Sequence, residues 1–196
     1  MGFAPDCLVI RAFRVLLAVG GLSLLSSGGW IHAKAALAQG LLERAWQETL
    51  GGETQVRPWH WADTWPVARL EIPRLAASMV ILAGSSGRTL AFGPGHTQAS
   101  PLPGEPGTSI VTGHRDTHFA VLEQLRRGDE IAIERSDGRI IHYEVEELEV
   151  ADARTTRIGI AADENALVLV TCWPFDAVVP GGPLRYVATA FARDPI

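Results

Sequence analysis

LVLVTCWPFDAVVPGGPLR, residues 167–185, decides how the rest of the chain is read. Leu167, Val168, Leu169 and Val170 form an unbroken apolar run, the pattern of a strand covered on both faces. Thr171 and Cys172 close the run, and Pro174 forbids its extension as a central strand. Pro180, Gly181, Gly182 and Pro183 force a turn, after which residues 184–191 resume a strand pattern with Arg185 at its start. A thiol at the tip of one strand thus lies close in sequence to a guanidinium at the foot of the next.

Working outward, the remaining signals are also β. Residues 67–72 (VARLEI) alternate loosely up to Pro73, and 79–82 are a short apolar run before Gly84-Ser85-Ser86-Gly87. Residues 90–107 are rich in Gly and Pro and read as loop. A strand over 108–112 ends at Gly113-His114-Arg115-Asp116. Residues 119–126 read as one or two helical turns with Phe119, Leu122 and Leu125 on one face. Gly128-Asp129 turns into a strand over 130–134, and Ser136-Asp137-Gly138 is a hairpin turn into a long strand over 140–150. Residues 151–165 are a polar connection. Seven or eight strands with hardly any helix and no internal repeat predict a mainly β domain over 67–196, closed as a barrel.

The 196 residues are 47% hydrophobic and 20% charged, with a net charge of −5 and no Lys/Arg cluster to offer nucleic acid a footprint. Residues 15–33 carry no Asp, Glu, Lys or Arg and are about long enough to cross a bilayer. Arg11 and Arg14 precede them, and Trp30 suits the far interface. The expectation is a cytoplasmic N-terminus over 1–14, a single-pass anchor over 15–33 in the plasma (inner) membrane, and an extracytoplasmic, periplasmic domain. A cleaved signal peptide is the competing reading, because Ala36-Leu37-Ala38 offers a small-x-small site. Leu37, Leu41, Leu42, Ala45 and Trp46 recur at helical spacing, so 34–50 reads as a stalk helix ended by Gly51-Gly52. Trp59, Trp61 and Trp65 fall in the linker 53–66, where packing on the barrel is preferred to a membrane-interface role. Cys7 leads the anchor and Cys172 follows it by most of the chain, so the two are not expected to pair, and a lone extracytoplasmic thiol marks a reactive group.

Cys, His and Arg together can perform acyl transfer without metal or cofactor. A thiolate attacks an amide carbonyl, an imidazolium both stabilises that thiolate and protonates the leaving amine, and a guanidinium fork meets the oxyanion. His114, at a strand end beside Gly113, is the preferred histidine; His118 is an alternative, and His32, His60, His96 and His142 lie in less telling places. A zinc site from His114, His118 and Cys172 lacks a fourth ligand.

Three segments carry a resemblance. Thr112-Gly113-His114-Arg115-Asp116, Leu169-Val170-Thr171-Cys172 and Leu184-Arg185-Tyr186-Val187 resemble the signature segments of sortases, membrane-anchored cysteine transpeptidases with an eight-stranded β-barrel. Trp-Pro-Phe-Asp-Ala after the cysteine and Pro-Gly-Gly-Pro before the arginine are similar to the proteobacterial branch, often labelled class GN. The resemblance implies His114 as general acid/base, Cys172 as nucleophile and Arg185 as oxyanion and substrate-positioning residue. It also implies Thr171 and Trp173 as substrate-binding residues, an LPXTG-like C-terminal sorting signal on a secreted protein as substrate, an amine as acceptor, and membrane lipid around the anchor. Val168 stands where the family places its first motif threonine, so that residue's role does not transfer. Some sortases bind calcium; Glu144, Glu146, Glu147 and Glu149 are candidates, although a solvated strand edge is the preferred reading and no metal is expected. Two other readings stay open: a Cys–His acyl transferase of the L,D-transpeptidase kind, acting on peptidoglycan, and a tethered binding module in which Cys172 is inert.

Overall fold

The computed structural model describes residues 7–159, 165–179 and 181–193; within the N-terminal helix, residues 7–9, 12, 18, 22–29, 31 and 32 are described by their backbone alone. Two compact units divide the chain, Met1–Gly40 and Leu41–Ile196. The division falls within helix α1, Cys7–Leu50. In the first unit α1 exposes Val15, Leu16, Leu17, Val19 and Trp30, and the Lys34 ammonium lies 4.9 Å over the Trp30 ring. Among the described residues no helix is long and apolar enough to cross a membrane. The anchor expected over 15–33 is therefore not supported here, and the side chains of 22–29, at the heart of that span, lie outside the described residues.

The second unit is built on eight strands: β1 Pro66–Ile72, β2 Ala77–Ala83, β3 Gly95–His96, β4 Thr108–Thr112, β5 Glu130–Arg135, β6 Ile140–Asp152, β7 Ala166–Cys172 and β8 Leu184–Ala192. They close into a barrel in the order β1-β2-β3-β4-β7-β8-β6-β5, with β3 joining β2 to β4 through two residues only. The pairs β2/β3 and β4/β7 are parallel and the rest antiparallel. The mainly β barrel expected from the strand pattern is thus observed, with the eight strands that the family resemblance implies. Its interior is lined by Ala68, Leu70 and Ile72 of β1, Ile131 and Ile133 of β5, Tyr143 and Val145 of β6, Leu167 and Leu169 of β7, and Ala188 and Ala190 of β8. The spacing is the two-residue period of a strand with one face inward. Val168 points the other way, into a small cluster with Ile110 and Val187, so β7 is covered on both faces as its apolar run demands.

Three elements differ from the sequence reading. Residues 119–126, read as helical turns, are observed as a 3-10 helix, His118–Gln124. Phe119, Leu122 and Leu125 are all buried, and their spacing of three matches the 3-10 period, which stacks them on one face against the barrel interior. Gly95–His96, inside the stretch read as loop, pairs with both β2 and β4. Strand β6 continues to Asp152, whose carboxylate accepts from the Arg154 backbone and guanidinium and is held down to about 2 by that pairing.

The stalk does not simply end at the barrel. Leu42, Ala45 and Trp46 of α1 are buried, the Trp46 indole donates to Glu134 at 3.2 Å, and Arg69 forks onto both oxygens of Glu43 at 2.7 Å. These contacts dock the C-terminal turns of α1 on the outside of β1 and β5. In the linker, Trp59 meets Phe92 edge to face, Trp65 is half-buried, and Trp61 is exposed beside His60. The packing role expected for the three tryptophans therefore holds for two of them.

Candidate active site

Strands β4 and β7 run side by side in the same direction, with Thr112 level with Val170. Their C-terminal ends consequently emerge on the same rim of the barrel. Past that level the pairing continues for one step, Gly113 N–H donating to the Val170 carbonyl at 3.1 Å. Thr171 is buried, and its hydroxyl donates to the Gly113 carbonyl at 2.8 Å. Two hydrogen bonds thus fix the residue before His114 against the two residues before Cys172. Alternation then puts Cys172 on the same outward face of β7 as Val168 and Val170, and Val170 lines the same cleft.

Strand β8 brings the third group. Cys172 is directly opposite Arg185 in the antiparallel β7/β8 pair, and opposed residues in such a pair present side chains to the same face. The Trp173 N–H closes the pair on the Leu184 carbonyl at 3.0 Å. His114, Cys172 and Arg185 line one cleft of ≈ 280 Å³, together with Ser85, Leu90, Thr112, Gly113, Val170 and Thr171. The three residues singled out for chemistry therefore meet, and Thr171 lines the same cleft. Trp173 does not; it is half-buried beside the cleft, its ring stacked 6.0 Å from Tyr186 and edge-on to Phe175.

Polar contacts divide the roles further. Arg185 Nη1 donates to the carbonyls of Gly182 and Leu184 at 2.7 and 2.8 Å, which holds the guanidinium plane. Among the described residues Nε and Nη2 have no acceptor, which leaves that edge of the fork available to an oxyanion. His114 is exposed, and among the described residues no side chain hydrogen-bonds its ring. His118, the alternative histidine, does not line the cleft. Burial, with the nearby His114 adding to it, pushes its imidazole below the ordinary histidine range, which favours a neutral ring. Cys172 is a half-buried free thiol.

No group of three His, Cys, Asp or Glu among the described residues is placed to hold a metal. Glu146, Glu147 and Glu149 are exposed along β6, and Glu144 accepts from Arg193 at 3.2 Å. Sequence reasoning missed Ser85 and Leu90, which line the cleft from the β2–α2 region (α2, Gly87–Leu90). The Gly-Ser-Ser-Gly turn was the available signal, because Ser86 caps α2 by accepting from the Thr89 N–H and so fixes the loop.

Comparison with known proteins agrees with this geometry. The sortase domain model matches residues 70–192, which runs from β1 to the last residue of β8. Sortase D of Bacillus subtilis (strain 168) is 34% identical over 119 residues, covering 60% of this chain; the match spans 59% of that protein's length. Among solved structures, a Clostridium perfringens Sortase D5 transpeptidase aligns with a TM-score of 0.60 and 26% identity, covering 78% of this chain and 89% of that one. Sortase A from Corynebacterium diphtheriae aligns with a TM-score of 0.62 and 26% identity, covering 82% and 86%. With the family's domain matched over most of the barrel and its three signature segments gathered at one cleft, the chain belongs to the sortase family.

Proposed function

We propose that the protein is a cysteine transpeptidase that cleaves an LPXTG-like sorting signal of a secreted protein and passes the acyl group to an amine. The observation that carries this reading is the convergence of Cys172, His114 and Arg185 on one cleft at the rim of the barrel. The Cys172 thiol gives its proton to His114, and the thiolate attacks the scissile carbonyl carbon. The oxyanion is met by the free edge of the Arg185 guanidinium. Collapse breaks the C–N bond, His114 returns the proton to the leaving amine, and a thioester on Cys172 remains. The acceptor amine then attacks the thioester, its proton goes by way of His114 to the departing sulfur, and a new amide is released.

Thr171 and Trp173 are assigned to the substrate: Thr171 by its place in the cleft wall, Trp173 by its place directly after the nucleophile. The Pro-Gly-Gly-Pro turn before Arg185 supports the proteobacterial, class GN branch. A single-pass anchor over residues 15–33, with the barrel on the extracytoplasmic, periplasmic side, fits Arg11 and Arg14 ahead of the apolar run and the exposed apolar side chains of α1. Resistance of the full chain to carbonate extraction from membranes would support that placement, and release into the supernatant would remove it. For the activity, an internally quenched peptide library should contain sequences cleaved by the wild type and not by Cys172→Ala, with turnover rising when an amine acceptor is added. Cleavage of muropeptides alone, with every sorting peptide untouched, would instead favour an L,D-transpeptidase-like role.

A further inference from the structure

Arg115 follows His114 directly, yet it turns away from the cleft and is only 7% exposed. Its Nη1 donates to the Pro174 carbonyl at 2.6 Å and its Nη2 to the Ala177 carbonyl at 2.7 Å. Among the described residues its one carboxylate partner is Asp116, at 3.1 Å from Nε and itself 69% exposed. A buried guanidinium carries a desolvation cost that one solvent-facing carboxylate offsets poorly. What the residue supplies in return is geometry, because a planar fork holds two carbonyls at fixed separation as no ammonium can.

The carbonyls it holds belong to the segment that begins at the nucleophile. After Cys172 come Trp173 and Pro174; Val178 and Val179 farther along are exposed, and the Gly182 carbonyl anchors Arg185. This segment is fastened to the barrel by aromatic contacts: Trp173 on Tyr186, and Phe175 on Tyr186 at 5.3 Å. Arg115, which belongs to the loop carrying His114, fastens the same stretch at Pro174 and Ala177. Gly113 and Thr171 tie the two strands below the rim, whereas Arg115 ties the two loops above it.

We infer that Arg115 is a positioning residue: it fixes the His114 loop against the loop that carries Cys172 at one end and anchors Arg185 at the other. Acyl transfer needs all three groups aligned, and this inference rests on that reading of the site. Arg115 touches neither substrate nor reacting atoms; it acts through the backbone of the nucleophile loop. The side-chain fork matters, not the charge alone.

The test uses the full chain carrying Arg115→Ala or Arg115→Lys, with thermal melting, kcat and KM measured on a peptide the wild type cleaves. Misplacing aligned groups by about 1 Å lowers turnover by about 100-fold, so kcat for Arg115→Ala should fall by roughly 30- to 100-fold while KM stays within about 3-fold. Arg115→Lys should remain at least about 10-fold down in kcat, because it keeps the charge and loses the fork. A residue that only supported the fold would lower the melting temperature and leave kcat of the folded fraction unchanged, and that result overturns the inference. So does full recovery in Arg115→Lys. Should Arg115→Ala fail to melt cooperatively, Arg115→Gln carries the same comparison. If the wild type cleaves no peptide, the transpeptidase reading fails separately. The positioning claim is then read from iodoacetamide alkylation of Cys172, where a change of about 5-fold between wild type and Arg115→Lys supports it and equal rates sink it.

Discussion

Gly113→Ala is the substitution whose consequence the structure defines most sharply. Gly113 separates the last residue of β4 from His114, and its backbone lies outside the left-handed region, so conformation alone does not exclude alanine. Space does. A methyl at this position would stand 2.6 Å from Phe119 Cγ and 2.7 Å from Cδ2, in a ring with no solvent exposure. Ordinary contact starts near 3.4 Å, so the ring or the His114 backbone must give by about 0.8 Å. Phe119 is enclosed by the barrel interior and has little room to retreat, so much of the displacement falls on His114. Overpacking of this kind destabilises by about 1–3 kcal/mol, which in a chain of this length lowers the melting temperature by about 3–10 °C. A shift approaching 1 Å at His114, the proposed acid/base, should lower kcat/KM by up to about 100-fold. Thermal melting and peptide cleavage would be measured on Gly113→Ala and on Gly113→Ala/Phe119→Leu. The trimmed ring should return activity to the double variant beyond that of the single one. Wild-type activity and melting temperature in Gly113→Ala would refute the reasoning.

Further predictions rest on other contacts. Asp129 is buried, accepts from Arg74 at 2.6 Å and from the Arg126 N–H at 2.7 Å, and is held below the usual carboxylate range chiefly by Arg74. Its contribution is present above its unfolded value of about 3.8 and is lost as pH falls through the lower folded value. Arg74→Ala should therefore lower stability at neutral pH, by less than breaking a fully buried pair because Arg74 is partly exposed. In a urea titration the gap between variant and wild type should narrow below about pH 4, and a gap that widens there would contradict the assignment. Trp46→Ala should cost about 3–5 kcal/mol of the second unit's stability, since the indole is fully buried, and equal denaturation midpoints would show that the helix end is not part of that unit. Arg185→Lys should lower kcat by about 100-fold, the scale of losing an oxyanion donor, and near-wild-type turnover would remove Arg185 from that role.

The site was legible because its three residues sit at strand ends, and strand ends announce themselves. A valine-rich run closed by Cys172 and Pro174, and a run over 108–112 closed by Gly113, each mark where a backbone leaves the sheet. That both leave on the same rim follows from the parallel β4/β7 pairing, which no local pattern encodes. The two-residue strand Gly95–His96 was hidden by its Gly/Pro surroundings, being too short for any period to show. Contacts between distant side chains were equally out of reach. Arg115 reads as an ordinary polar neighbour of His114 until the fold sets it against carbonyls 59 and 62 residues away. The Trp46 indole likewise meets Glu134 across 88 residues. Periodicity gave 34–50 as a helix with an apolar stripe, but not the surface which that stripe covers.

The central claim is that acyl transfer passes through the sulfur of Cys172, and intact-mass spectrometry tests it most directly. The full chain would be mixed with a cleavable sorting peptide and quenched in acid. The account predicts a mass gain equal to the acyl fragment, removed by hydroxylamine and absent in Cys172→Ala. Peptide cleavage that persists in Cys172→Ala, or an adduct on any other residue, would contradict it.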